Sequence, residues 1–157
     1  MTLDPDTDLS FTCDLKAPRA LIWECWTTPE HIMAFFVPKP HQVTACDLDL
    51  RIGGRFNSTF LVEGDEMHNR GVFLEIVPQR RLVFTDAFTE GWKPAPDPFL
   101  TSIVLLEDGK GGGTRYTAIA RHRSPEARKR HEDMGFFGGW RMVAEQADAL
   151  ALELAGR

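Results

Sequence analysis

Two histidines, His122 and His131, have the type and spacing best suited to chemistry in this sequence. Imidazole changes its protonation state near neutral pH, so a close pair can be a polar binding group, transfer a proton or ligate a metal ion. The commoner alternative is a structural imidazole that bonds to the backbone at the edge of the core. A metal site needs a third ligand, and no His, Asp or Glu spacing supplies one convincingly. We therefore predict no metal site and leave the other roles open.

Asp86 is the second candidate, because it alternates in register with Phe84 and Phe88. That register points its carboxylate toward the apolar side of a strand. A buried carboxylate must be paired or neutralised, and Arg70 or Arg55 on neighbouring strands are the candidate partners. The competing interpretation places Asp86 beyond the end of its strand, in solvent.

Other kinds of active site lack support. No Ser/His/Asp order or Cys/His pair stands in a context for covalent catalysis. Gly53 and Gly54, between Arg51 and Arg55, lack the strand-GxGxxG-helix context and the lysine of a phosphate-binding loop. We therefore expect no cofactor, and a binding protein is favoured over an enzyme.

Length and composition limit the class of protein. A chain of 157 residues fits one domain with one core, so we assign residues 1–157 to a single domain. A net charge of -5 without a Lys- or Arg-rich patch argues against nucleic acid or an anionic membrane as a partner. The three cysteines show no disulfide or zinc spacing, which indicates reduced thiols. With an acidic, polar start and no long apolar run, we expect a cytoplasmic protein without a membrane span.

The elements that must position these residues follow from periodicity. Residues 9–15 alternate as a half-buried strand, and Pro18 and Pro29 open two short helices. Strand-like runs then occupy residues 42–50, 54–63, 66–77, 81–88, 99–107 and 114–122, separated by turn signals. Short connections of this kind predict an antiparallel meander. A long amphipathic helix closes the chain, with one apolar stripe from Trp140 to Leu154.

This order predicts an α+β protein, with a curved antiparallel sheet of six to seven strands wrapped around the long C-terminal helix. On the last strand Tyr116, Ala118, Ala120 and His122 share the inner face. The helix offers small residues toward that face, among them Ala147. Small residues opposite each other leave either a close contact or a ligand-sized apolar cavity, and the sequence does not decide between them.

Three glycines interrupt the final helical segment, in the stretch HEDMGFFGGW at residues 131–140. Glycine in a helix interior costs about 1 kcal/mol relative to alanine. We interpret Gly135, Gly138 and Gly139 as a bend or break before the apolar stripe begins at Trp140, with close backbone approach to a strand.

Five motifs in this order resemble the Hsp90 ATPase activator homologue 1-like family, over about residues 8–155. They are IWECWTTPEH at 22–31, DLDLRIGGRF at 47–56, RGVFLEIVPQRRLVFT at 70–85, GGGTRYT at 111–117 and GFFGGW at 135–140. The resemblance implies the helix-grip fold of the START/Bet v 1-like superfamily, with an internal cavity. Ala147 stands where the family usually has leucine, and Phe137 where it often has an acidic residue.

The eukaryotic co-chaperone that names the family is similar to this chain only in its C-terminal domain. The chaperone-engaging domain of that protein has no counterpart here, so Hsp90 is not an expected partner. The resemblance favours a small apolar or amphipathic ligand held between the sheet and the last helix. The alternatives are a cyclase- or hydratase-type enzyme and a protein-interaction module, and a homodimer is compatible with each.

The candidate ligand-binding residues lie in the cavity or at its entrance. Three of them, Phe35, Phe36 and Trp92, fall in or near loops at the open end of the grip and could gate it. The full set is His122, Asp86, Tyr116, Phe35, Phe36, Trp92, Trp140 and Ala147.

Overall fold

The first strand and the two short helices form as their sequence pattern predicts. In the computed structural model, which describes residues 2–157, β1 spans Asp8–Leu15. It is followed by α1 (Arg19–Thr27) and α2 (Pro29–Phe35), and Pro29 occupies the start of α2. Proline suits this position because its fixed φ is helical and its missing N–H would have no partner there.

Strands fill the middle of the chain. They are β2 (Gln42–Leu48), β3 (Arg55–Val62), β4 (Asp65–Val77), β5 (Arg81–Thr85), β6 (Phe88–Thr89), β7 (Lys93–Pro94), β8 (Thr101–Asp108) and β9 (Thr114–Arg121). Seven of them form one antiparallel sheet in the order β1-β9-β8-β5-β4-β3-β2, while β6 and β7 pair only with each other. The α+β sheet of six to seven strands is therefore confirmed, and the small β6–β7 hairpin was not predicted.

The inner face of the sheet carries the side chains that alternation assigns to it. Tyr116, Ala118 and Ala120 are completely buried, whereas Arg115 on the opposite side of β9 is exposed. β1 supplies Leu9 and Phe11 to the same inner face, because Phe11 is paired with Ala118. The core therefore lies between this face and the helices.

The long helix is broken once. α3 (Pro125–Asp133) and α4 (Phe136–Ala155) are separated at Gly135, whose φ of 97° lies in the left-handed region that favours glycine. The predicted break before Trp140 is present, but it lies at Gly135 alone, so the prediction is wrong for Gly138 and Gly139. Gly138 and Gly139 lie inside α4, and the nearest neighbour of a Cβ built on Gly139 is Pro38 Cγ at 3.9 Å, in a loop rather than a strand.

The alanine stripe of α4 accommodates the two short helices. α4 packs closest to α1, α2 and β1, and Cys25 Sγ on α1 lies 3.8 Å from the carbonyl oxygen of Ala147. Aromatic side chains lie between the sheet and α4: the Phe11 ring centroid is 6.1 Å from that of Tyr116 and 6.3 Å from that of Phe136. Close packing against α1 thus explains the small residue at position 147.

No helix within residues 2–157 is long and apolar enough to cross a membrane.

Candidate functional site

His122 and His131 form a hydrogen-bonded pair where β9 meets α3. His122 directly follows β9, and its main-chain N–H donates to the carbonyl of Thr7 at 3.0 Å. His131 lies in the last turn of α3, a helix that Ser124 caps by accepting from the N–H of Ala127. Nε2 of His122 is 2.8 Å from Nδ1 of His131, and each side chain is 7% exposed. Beta-strand parity and helix position thus bring the two predicted imidazoles together.

The partners of His122 determine where the protons of the pair lie. Its Nδ1 is 2.8 Å from the carbonyl oxygen of Thr7, and a carbonyl only accepts, so Nδ1 carries the hydrogen. Nε2 of His122 is then an acceptor, and Nδ1–H of His131 donates to it. Nε2 of His131 is left with a lone pair, and no group in residues 2–157 donates to it. Burial, with a smaller contribution from His122, lowers the pKa of His131 to about 4, so His131 is neutral at physiological pH.

Aromatic rings enclose the histidine pair. The Phe99 centroid lies 4.7 Å from that of His131 and 6.0 Å from that of His122. Phe136 and Trp140, both on α4, lie 5.2 Å and 6.5 Å from the ring of His131. This apolar shell is the physical cause of the low pKa, because it stabilises a charged imidazole poorly.

Asp86 contributes to the enclosure indirectly. Its carboxylate accepts from the main-chain N–H groups of Phe99 and Leu100 at 2.8–3.0 Å. It therefore fixes the segment that places Phe99 against the imidazoles. The expected pairing with Arg70 or Arg55 is wrong, since Arg55 pairs with Asp47 and Glu90.

A second polar feature lies in the interior. Trp26 Nε1, Ser102 Oγ and Tyr116 Oη are buried and make no hydrogen bond within residues 2–157. Burial raises the pKa of Tyr116, and the indole N–H of Trp26, which lies near Oη but does not reach hydrogen-bond geometry, partly offsets this increase. Trp26 also packs against Phe84, the strand partner of Ser102, at 6.0 Å between centroids. The three groups therefore belong to one apolar interior.

The segment between α2 and β2 closes over this interior. Phe35 is 1% exposed and Phe36 is half-buried, and their centroids lie 5.1 Å and 5.2 Å from that of Trp26. A single side chain of α4 holds the segment: Gln146 Nε2 donates to the carbonyls of Phe35 and Val37, each at 2.9 Å. The side-chain oxygen Oε1 of Gln146 accepts from the main-chain N–H of Lys39 at 3.0 Å.

Trp92 lies apart from these residues. It is 49% exposed in the β6–β7 hairpin, and it packs against Phe88 and Gly53. The structure thus groups His122 with Trp140, and Tyr116 with Phe35 and Phe36, while Trp92 joins neither group.

Two surface depressions lie outside both groups. One, of about 690 Å³, runs beside α2 and β2 and is lined by Met33, Val37 and Val43. The other, of about 640 Å³, lies on the outer face of α3 against Lys129 and Met134. Neither lies between the sheet and α4.

Metal and thiol chemistry receive no support from the described residues. Within residues 2–157, no group of three His, Cys, Asp or Glu side chains is placed to hold a metal ion. Burial raises the pKa of Cys25 and Cys46 to about 12, so both thiols stay protonated and weakly nucleophilic.

Sequence reasoning did not identify Phe99, Trp26, Ser102 or Gln146 as functional residues. The aromatic type and position of Trp26 indicate a core residue, and nothing in its pattern reveals an unpaired indole N–H. Phe99 follows a proline-rich loop, in which periodicity carries no information. Gln146 stands next to Ala147 in a predicted helix, and that was its only signal.

Comparisons with known proteins agree with this fold. A family model described as activator of Hsp90 ATPase homolog 1-like protein matches residues 16–151. A search of curated proteins found no match. Among solved structures, protein NE0264 from Nitrosomonas europaea is 36% identical, with a TM-score of 0.95 over 99% of this chain and 100% of that one.

More distant structures share the architecture. Protein Ms6760 from Mycobacterium smegmatis is 29% identical, with a TM-score of 0.78 over 94% of this chain and 92% of that one. An AHSA1-like protein from Aeromonas hydrophila is 16% identical, with a TM-score of 0.69 over 95% of this chain and 94% of that one, a likeness of fold alone. The match over residues 16–151, on a seven-stranded helix-grip sheet, shows that the chain belongs to the activator of Hsp90 ATPase homolog 1-like family of the SRPBCC superfamily.

Proposed function

We propose that this protein binds one small apolar or amphipathic molecule between the sheet and α4, in the cytoplasm, as a binding protein rather than an enzyme. The observation that carries the proposal is the set of unpaired buried polar atoms at Trp26, Ser102 and Tyr116. The family and its START-like fold support a ligand-binding or interaction module in general.

The three unpaired polar atoms destabilise the unliganded protein. A buried polar group without a hydrogen-bond partner costs about 1–3 kcal/mol. Trp26 Nε1–H can only donate, whereas the hydroxyls of Ser102 and Tyr116 can donate and accept. A ligand with an apolar body and one or two oxygens would satisfy them and recover part of that cost.

Entry requires movement of the segment between α2 and β2. Phe36 packs on Phe56 and Phe84 at 5.6 Å and 6.2 Å between centroids, so the interior is filled by aromatic rings. A ligand must displace such rings, and Phe36 is the half-buried member of the set. The hydrogen bonds from Gln146 to the carbonyls of Phe35 and Val37 would have to break at the same time.

Native mass spectrometry of protein purified from its own cells tests this proposal. The wild-type protein should retain a small molecule that is released on denaturation, and the same spectrum gives the oligomeric state. Tyr116→Phe should retain clearly less ligand, because it removes one hydroxyl, yet the free variant should be as stable as the wild type or more stable.

Thr117→Ala is the matched control. Thr117 follows Tyr116 on the opposite face of β9, where its hydroxyl bonds to Thr12 at 3.0 Å. It should leave the retained ligand unchanged. Wild-type protein without a small molecule, or equal retention by Tyr116→Phe, would contradict the proposal, and a stoichiometric protein partner would favour an interaction module.

A further inference from the structure

The histidine pair presents a hydrogen-bond acceptor that the described residues leave unused. Nδ1–H of His131 is committed to His122, and His122 in turn to Thr7, so the lone pair at Nε2 of His131 is fixed in position. His131 is 7% exposed, and its Nε2 is not among the buried atoms cut off from solvent. It is therefore a fixed acceptor that keeps some contact with solvent.

This acceptor is distinct from the interior site proposed above. Tyr116 contacts Phe11, Phe11 contacts Phe136, and Phe136 contacts His131, with centroid distances of 6.1, 6.3 and 5.2 Å. Two aromatic side chains thus stand between the unpaired hydroxyl of Tyr116 and the imidazole of His131. The two sites can be tested independently.

We propose that the histidine pair is a binding site for an aromatic alcohol, whose hydroxyl donates to Nε2 of His131 and whose ring packs beside Phe99 and Trp140. The ring preference follows from the shell around the imidazole, where Phe99 is 4.7 Å and Trp140 6.5 Å from it between centroids. Aromatic rings packed in offset or edge-to-face geometry attract each other beyond the gain from burying them.

The hydroxyl preference follows from the neutral state of His131. A neutral Nε2 with a lone pair needs a donor. A carboxylic acid is ionised at neutral pH and would bring lone pairs to a lone pair, and the apolar shell resists transfer of a proton to His131. A phenolic hydroxyl keeps its proton, because its pKa is about 10.

One neighbouring cation provides the alternative that the experiment must separate. The guanidinium of Arg130 lies 5.8 Å from the Phe99 ring centroid and could attract an anion. Other charges nearby are engaged: Asp8 pairs with Arg121 at 3.1 Å, and Arg128 donates to the main-chain oxygen of Asp8. An anionic ligand should therefore bind only if attraction to the Arg130 guanidinium outweighs repulsion by the lone pair at Nε2 of His131.

Three matched probes test the proposal by isothermal titration and by ¹⁵N NMR of histidine-labelled protein. These are 2-naphthol, 2-methoxynaphthalene, which has no donor, and 2-naphthoate, which is an anion. We expect 2-naphthol to bind about tenfold more tightly than the methyl ether, as expected for one hydrogen bond of about 1.4 kcal/mol. The naphthoate should bind most weakly, and 2-naphthol should shift the Nε2 resonance of His131.

Two variants assign the site. His131→Phe keeps an aromatic ring but removes the acceptor, so it should lose the preference for 2-naphthol over its ether. Tyr116→Phe should keep that preference, which separates this site from the interior one. If His131→Phe fails to fold, the relative affinities of the wild-type protein for the three probes still test the proposal. No binding of 2-naphthol, equal affinity for the ether, tighter binding of naphthoate, or no shift at His131 would each overturn the proposal.

Discussion

The stability of the fold should fall as the pH is lowered through the titration range of His131. Its pKa is about 4 in the folded chain, against an ordinary value of 6.5 for histidine. A base with a lowered folded pKa binds its proton more readily in the unfolded chain, so acid favours unfolding. The free energy of unfolding should keep its full value above pH 6.5, decline from there to pH 4 and then level off with respect to this group.

The size of the effect follows from the shift. Lowering the pKa from 6.5 to about 4 corresponds to at most about 3–4 kcal/mol, at 1.36 kcal/mol per pKa unit. Urea denaturation at a series of pH values measures it. His131→Phe should remove this component, because phenylalanine does not titrate, although loss of the bond to His122 costs about 1 kcal/mol at neutral pH.

His68→Phe is the control for this experiment, since it deletes a histidine whose side chain is 54% exposed. It should keep the full acid sensitivity of the wild type. If the free energy of unfolding of His131→Phe and of the wild type falls in parallel between pH 7 and pH 4, burial does not hold His131 neutral.

Four further predictions concern the elements that hold the two sites. Gly138→Ala should stabilise the protein by about 1 kcal/mol, because this glycine is inside α4 and a Cβ there meets nothing within 4 Å. Gly135→Ala should destabilise the protein, because alanine is strained at a φ of 97°. Thermal unfolding of the two glycine variants measures both effects, and a stabilised Gly135→Ala variant would contradict the strain at this position. Gln146→Ala should speed amide hydrogen exchange in the segment between α2 and β2, because this side chain holds the segment through three hydrogen bonds. Glu145→Ala, which changes an exposed neighbour, is the control and should not speed exchange. Equal protection in both variants would show that Gln146 does not hold the segment closed. Asp86→Ala should destabilise the protein by about 1–3 kcal/mol, through two unsatisfied amides, and broaden the NMR signals of the Phe99 ring; an unchanged ring would show that the carboxylate does not position it.

Much of the fold was predictable because it depends on local periodicity. Alternation in β9 placed Tyr116 and His122 on the inner face, and both are buried there. The closeness of His122 and His131 was also open to sequence reasoning, because His122 follows the last strand and His131 lies about two turns along the helix that comes next.

The parts that depend on long-range geometry were not predictable. Asp86 has the register of a buried strand residue, yet it bonds to the amides of Phe99 and Leu100 across a loop. No residue pattern encodes that loop closure, since it depends on where two distant chain segments come to lie. The helix break was assigned to three glycines instead of one for a related reason: the sequence shows three glycines, but of these only Gly135, with its left-handed φ, ends a helix.

The clamp formed by Gln146 has a consequence for rates. One side chain holds two carbonyls and one amide of the segment that covers Trp26, so the segment opens only when these bonds break together. If the open form is rare, the apparent affinity of any interior ligand is reduced by the open fraction. Association would then be limited by the opening rate and become independent of ligand concentration, while a bound molecule would dissociate slowly. The side-chain amide of Gln146 would thus lower the apparent affinity for the ligand and lengthen the time that a bound ligand stays.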